Sequence, residues 1–453
     1  MYVGGHFGTE SGPTYPQRIG LDHTFATNPV DERRITIMKF SGNGDLVWFR
    51  KVQSLGISQA DAIPSGVQGF ALEDNGTSFT LALLSPGTYA DGAFTATTPG
   101  TNYYILKYGP NGNFISGMSL DMQFPGSTSG RLEFYRNRYN GNFYFTGRKQ
   151  ANQEATVGGQ ILSKGTYMFS FSATGEFLWK RESTSNWSGT IFFYNLDFDS
   201  ENNIYIGGRM IGINAESFLG YSIAFAGAPT FVMKTNPTAD GNIWATSNSG
   251  NFSNDFGAVR LNGNEVAVSS AGYGTAFTWG NQTINVNPAN SGSDVLLSRI
   301  DKNSGQCISM HSIASSANSN DFGTAITVDS SGDYIVGGTF EGTLNLGNST
   351  LVNIGSQSDF FVAKFASSLC SSLSSVEFGS DRPKVYPNPA KEILNILTNE
   401  PSSFTIFNLS GQMIKKGKLR AGNNAVNISD INSGLYLLKL ENRNISTYKI
   451  CIE

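Results

Sequence analysis

DFGTAITVDSSGDYIVGGTF, residues 321–340, places β-forming residues on either side of one turn. Thr324-Ala325-Ile326-Thr327-Val328 and Tyr334-Ile335-Val336 suit a half-buried pleated surface, and Ser330-Ser331-Gly332-Asp333 has the small polar residues of a tight connection. The stretch predicts a hairpin whose second strand ends in Gly337-Gly338, and SDFFVAKF at 358–365 predicts a third strand.

Working outward, these elements recur through the first 365 residues. The segments starting at Ile37, Ile105, Met168, Val232, Leu297 and Val362 align at spacings of 68, 63, 64, 65 and 65. After each of the first five comes a turn with glycine (Gly44, Gly112, Gly175, Gly241, Gly305), then an apolar strand such as Leu46-Val47-Trp48, Phe177-Leu178-Trp179 or Asn242-Ile243-Trp244. Before the aligned segments stand strands ending in glycine, among them Tyr2-Val3-Gly4-Gly5, Tyr144-Phe145-Thr146-Gly147 and Tyr205-Ile206-Gly207-Gly208. Each unit thus predicts about four short strands, a sheet too small to bury both faces alone. Radial stacking solves that problem, so the expected fold is all-β, a β-propeller of about six four-stranded blades over residues 1–365, with a solenoid of the same units as the alternative. The pattern resembles the propeller repeats of bacterial surface proteins, a likeness that speaks to fold and leaves the ligand open.

The chain begins in mid-unit, with six glycine-ending strands and six aligned strands but five of each flanking kind. Either the first and last units complete each other, or the true N-terminus lies upstream. Longer connections fall between the glycine-ending strand and the aligned strand at 8–34, 85–101, 148–165, 209–229, 270–293 and 341–358. In a ring they would share one face, and their aromatics Tyr89, Phe218, Tyr221, Tyr273 and Trp279 could stack on sugar rings or pack inward; Trp187 lies in another connection.

Composition agrees with a turn-rich β protein: 453 residues, 52 glycines, 12% aromatic and 15% charged. The net charge of −4 combines +4 from residue 384 onward with −8 before it, and neither part shows the basic stripe that nucleic acid needs. Three cysteines without a CxxC leave a Cys307–Cys370 bridge or three thiols as readings. No run of 18 apolar residues predicts a membrane helix, and MYVGGHFGTE has neither the basic nor the apolar region of a signal peptide.

Residues 366–383, with 7 serines in 18, read as a linker. Beyond it, Lys384–Tyr386, Glu392–Leu397, Phe404–Asn408, Gln412–Ile414, Asn424–Ile428, Gly434–Leu440 and Ile445–Ile450 predict a small seven-stranded, immunoglobulin-like sandwich over 384–453. Tyr386-Pro387-Asn388-Pro389-Ala390, Leu394-Asn395-Ile396, Phe404 to Gln412, Ile431 to Leu437 and Tyr448-Lys449-Ile450 resemble, in order, the type A C-terminal sorting domain of the type IX secretion system. That resemblance implies delivery across the outer membrane of a Gram-negative bacterium, with the secretion machinery as partner. It assigns the sorting signal to Tyr386, Pro387, Asn388, Pro389, Gly411, Gly434, Tyr436 and Lys449. Cargo of this family crosses the inner membrane by a signal peptide, so its absence here leads to the expectation of a fragment truncated at the N-terminus or a misassigned start codon.

Catalytic patterns are missing from the sequence. His6, His23 and His311 show no paired spacing, and there is no HExxH, GxSxG or Walker A sequence, so neither metal nor cofactor is expected. Asp-Phe-Gly at 255–257 and 321–323 keeps the repeat spacing and reads as part of the repeat. Asp197, Asp199 and Glu201 have the oxygen spacing of a calcium loop but lack its central glycine and terminal glutamate, which favours a strand-turn-strand. The expected protein is an exported or cell-surface binding or structural module, not an enzyme, with an extracellular glycan or protein as ligand. The alternative is a hydrolase or lyase acting on extracellular polysaccharide.

Overall fold

The computed structural model describes residues 2–7, 17–19, 23–25, 34–41 and 45–52. From 67 to 452 it describes all but 69, 125–131, 150–153, 186–190, 212–215, 223–226, 252–256, 286–291, 314–318, 348, 356, 367–382, 409–410 and 442–444. Trp187, Cys370, Gly44, Asp255 and Phe256 lie outside these. The chain divides into two compact units, Met1–Ser367 and Ser368–Glu453. Among the described residues there is no α-helix, only a single turn of 3-10 helix at Ala90–Gly92.

Among the described residues of the first unit six larger sheets follow one another along the chain, antiparallel except that Val67–Gln68 pairs in parallel with Leu132–Arg136 of the third. The fourth shows the plan: Ile191–Phe198, Ile204–Met210, Thr230–Thr235 and Asn242–Ser247 pair in chain order. The aligned sequence segments all fall on the third strand of this plan, from Arg34–Phe40 to Asp359–Phe365. Four strands per sheet is not the rule throughout. Among the described residues the first sheet has three strands, beginning at Tyr2–Phe7; the sixth has three, ending at Asp359–Phe365; the third has five and the fifth six.

Each pair of successive sheets encloses one hydrophobic core. Ile37 and Trp48 of the first sheet join Leu106 and Tyr108 of the second, Ile105 of the second joins Phe145 of the third, and Met168 of the third joins Ile206 of the fourth. Val232 and Tyr205 then meet Val259 and Val268, and Val295 and Leu297 meet Val336 and Phe361. Sandwiching explains the burial pattern: Ile204–Met210 is buried at all 7 positions, whereas Tyr334–Phe340 in the sixth sheet is buried only at alternate ones. On the sixth sheet's outward face Phe360 is 80% and Val362 65% exposed, although Val232, at the register position of Val362, is 0% exposed.

The recurrent tryptophan and glycine form one device across these seams. Trp48 Nε1 donates to Pro110 O at 3.0 Å and Trp244 Nε1 to Lys302 O at 3.1 Å, both in the turn of the following sheet. Gly112 and Gly305 in those turns have φ of 76° and 73°, and a Cβ on either would come within 2.8 Å of the indole. Arg50 and Arg181 add bonds to Gly112 O (2.7 Å) and Ala239 O (2.6 Å).

The six long connections, expected as open loops, each contain a two-stranded hairpin instead. Several lie over the seam with the preceding sheet. Met122–Gln123 pairs with Thr156–Val157, Thr184 N donates to Ser217 O at 3.0 Å, and Ser249–Asn251 pairs with the long strand Glu265–Trp279.

The described residues of the second unit form seven strands in two sheets. Lys384–Tyr386, Ile393–Thr398 and Gly422–Asn427 make one; Met413–Leu419, Ser402–Asn408, Gly434–Glu441 and Ile445–Ile452 make the other. Leu394, Ile396 and Val426 of the first pack against Phe404, Ile406, Leu438 and Ile450 of the second.

Candidate functional site

Three sequence blocks, 383–390, 435–437 and 448–452, meet along the last strand of the second unit. After Lys384–Tyr386 pairs with its sheet, the chain crosses to the free edge of Ile445–Ile452. There Asn388 Nδ2 donates to Lys449 O at 2.9 Å, and Asn388 Oδ1 accepts from Cys451 N at 2.8 Å. Ala390 N donates to Cys451 O at 2.9 Å and forms a parallel bridge with Ile452. Tyr448 Oη donates to Pro383 O at 2.8 Å, tying the start of the same segment. On the other side of the strand, Leu435 and Leu437 pair with Cys451 and Lys449.

The chemistry of each residue suits its place. Pro387 and Pro389 have no backbone N–H to lose at an edge, and Asn388 between them supplies the donor and acceptor that a strand backbone would have offered. Both prolines follow cis peptide bonds. Tyr386, Pro387, Asn388, Pro389 and Lys449 are exposed, and the Tyr386 hydroxyl donates to Asn423 Oδ1 at 3.3 Å. Tyr436 is inside, 9% exposed, with its hydroxyl donating to Asn432 O at 2.7 Å. Gly411 serves the turn after Ser402–Asn408: its φ is 82° and its N–H donates to Asn408 O at 3.0 Å. Gly434 opens its strand opposite Ile452. Leu435 and Leu437, 41% and 38% exposed, belong to the surface and were missed in the sequence; alternation with buried Tyr436 and Leu438 is the signal that could have found them.

In the first unit the five aromatic candidates do not form one face. Tyr89, Phe218 and Trp279 are 1%, 0% and 0% exposed. Tyr89 packs with Ile37 and Trp48, Phe218 with Tyr144 and Met168, and Trp279 with Tyr205 and Val232. The Trp279 indole donates to Thr246 Oγ1 at 2.8 Å, and the Tyr89 hydroxyl to Ser85 O at 2.7 Å. Assigning these three to a ligand surface is therefore corrected: their hairpins lie over the seams and point the rings inward. Tyr221 and Tyr273 are half-buried, the latter donating to Asn320 Oδ1 at 2.8 Å.

The acidic candidates are occupied by the fold. Asp199 Oδ1 accepts from the amides of Glu201 and Asn203, and Oδ2 from Asn203 Nδ2 and the Tyr205 hydroxyl. Burial pushes the Asp199 carboxyl up, but these hydrogen bonds and Lys302 outweigh it and hold it below the usual range. Asn202 takes φ 65° in that turn, and Asp197 accepts from Leu261 N of the next sheet at 2.8 Å, so the calcium-like spacing builds a turn and a seam. Asp321 of the second Asp-Phe-Gly is fully buried and accepts from Glu341 N at 2.8 Å, while a Cβ on Gly323 would meet Ser269 Oγ at 2.2 Å. Among the described residues no three His, Cys, Asp or Glu side chains are grouped to hold a metal ion.

Two glutamates have opposite settings. Burial pushes the Glu216 carboxyl up, and neither oxygen has a hydrogen-bond partner, although the Ser183 hydroxyl and Ser185 amide lie near enough to offset part of that cost. Glu265 is also pushed up by burial, but Arg299 (2.8 Å) and the Tyr334 hydroxyl (2.9 Å) prevail and hold it low.

Residues 384–453 match the family described as Secretion system C-terminal sorting domain. Such a tail implies a secreted or cell-surface protein that meets the secretion machinery, and no described helix is long and apolar enough to cross a membrane. No curated protein matches the chain. Among solved structures, a protein of unknown function from Dyadobacter fermentans is 8% identical, with TM-score 0.31 over 78% of this chain and 93% of that one. A mutant of the Synechocystis apocarotenoid oxygenase is 12% identical, with TM-score 0.33 over 80% and 89%. The extracellular domain of a putative hybrid two component system from B. thetaiotaomicron is 11% identical, with TM-score 0.20 over 93% and 79%. Scores this low define no shared fold.

Proposed function

We propose that this is a cargo protein of the type IX secretion system, whose first unit is a six-bladed β-propeller acting outside the cell as a non-catalytic binding or structural module. The observation that carries the delivery reading is the sorting-domain match over 384–453, together with the meeting of its motif blocks on one strand edge. Deleting residues 384–453 should leave the protein in the periplasm, and normal surface delivery of the truncated protein would refute the reading.

The propeller reading rests on five successive seams of the same construction, each using contacts between neighbouring sheets. Closing the ring would cover Phe360 and Val362 with the first sheet. In a closed ring Val362→Asp buries an unpaired charge and unfolds the unit at lower urea; an unchanged midpoint points to an open stack. For the ligand, a glycan and protein array probed with the whole chain separates a binding module from a passive structural one.

A further inference from the structure

We propose that Asn388 is a positioning residue that clasps the 386–389 segment to the terminal strand, so that Pro387, Pro389, Lys449 and Leu437 are presented as one recognition surface. The proposal rests on the sorting reading and adds what holds the signal together and what would read it. Ile445–Ile452 is an edge strand, and an open edge invites pairing with any other strand. The Asn388 carboxamide satisfies one acceptor and one donor of that edge, at Lys449 O and Cys451 N, and Ala390 N satisfies Cys451 O. Proline at 387 and 389 cannot make these bonds, so past Tyr386 the segment is fixed to the terminal strand through the asparagine side chain and the amide of Ala390.

The surface so assembled has a proline and tyrosine ridge, Tyr386 being 44% exposed, beside the exposed Lys449, with Leu437 across the strand from that lysine. Proline and tyrosine faces fit an apolar, aromatic-lined groove, and an exposed ammonium calls for a carboxylate at its rim. The partner is therefore a component of the export machinery carrying an apolar groove flanked by an acidic group, and the clasp sets the spacing between the two contacts.

The test uses the full chain in a type IX-competent host, reading the surface-delivered fraction, and hydrogen exchange on the purified protein. Asn388→Ala should speed exchange of the Cys451 amide, leave the Ile406 and Leu438 amides protected, and lower delivery several-fold. Asn388→Asp keeps the acceptor for Cys451 N but faces Lys449 O with a second acceptor, and should fall between the two. Lys449→Glu should lower delivery without altering exchange, while Lys449→Arg retains it. If deletion of 384–453 blocks delivery yet Asn388→Ala is delivered as the native chain, the clasp is overturned and the sorting reading stands. Retained Cys451 protection in Asn388→Ala overturns it too. Should that variant also loosen the core amides, the Lys449 pair decides, and equal delivery of the Glu and Arg variants refutes the recognition surface.

Discussion

Replacing Gly305 with alanine isolates the device that joins the sheets. The glycine has φ 73°, and its new Cβ would sit 2.8 Å from Trp244 Cδ2 and Cε3, well inside contact distance. The left-handed backbone costs about 1–2 kcal/mol for a residue with a Cβ. Moving the indole aside adds about 1–3 kcal/mol of overpacking. Displacement also weakens the bond from Trp244 Nε1 to Lys302 O. The expected loss is about 3 kcal/mol. Gly263→Ala is the control, since Gly263 has φ 57° and nothing within 4 Å, so only the backbone cost of about 1–2 kcal/mol remains. All 5 tryptophans precede residue 368, so their fluorescence during urea unfolding reports on the first unit alone. In a Trp244→Leu background the excess cost of Gly305→Ala should largely vanish. If Gly305→Ala is no worse than Gly263→Ala, the glycine and tryptophan do not form a seam and the stacking argument fails.

Burial raises the Glu216 carboxyl above its ordinary value of 4.5, so its contribution to stability is fully present below 4.5 and is lost as pH rises through the raised value. Glu216→Gln should therefore stabilise the protein by about 1–3 kcal/mol at neutral pH and be near neutral in acid, measured as urea midpoints across pH. Glu265 runs the other way: its folded value lies below 4.5, so its stabilisation is present above that pH and is lost as pH falls through the lowered value. Glu265→Gln should cost about 1.5–3 kcal/mol at neutral pH and flatten the acid limb, and an unchanged pH profile would remove Arg299 and Tyr334 from the account. Phe218→Ala should cost about 3–5 kcal/mol as a core truncation; a variant with native stability but altered ligand binding would return Phe218 to a binding face.

The order of strands within a unit was legible because the third strand of the second to fifth sheets is buried on both faces and so stays apolar and aromatic at a steady spacing. The tail was legible strand by strand, since each run alternates and is bounded by Gly, Asn or Pro. What stayed hidden was orientation. Tyr89, Phe218 and Trp279 sit in connections, where sequence cannot tell a ring that covers a seam from one that faces solvent. The hairpins within those connections are only two to four residues per strand in most cases, too short for a period to show. The same limit applied to Asn388, whose partners lie 61 and 63 residues away.

Side-chain bonds from one sheet to the next recur along the chain. Trp48 reaches Pro110, Asn195 reaches Val259, and Asn262 reaches Gly332, each about one period along the chain. A residue kept by the period is thus accounted for by stacking, and a function specific to this protein must be sought where the period breaks. One such position follows the second glycine of the second strand. Register places Leu83, Arg148, Arg209, Ala271 and Thr339 there in sheets two to six. Only at the seam between the third and fourth sheets are both occupants arginines, their guanidinium carbons 4.0 and 4.3 Å from the ring centroid of Phe192. Two cations on one buried ring are not needed to stack a sheet, since leucine, alanine and threonine serve the equivalent seams. Comparing Arg148→Leu with Arg209→Leu for stability and for array binding separates a charge kept for packing from one kept for a ligand.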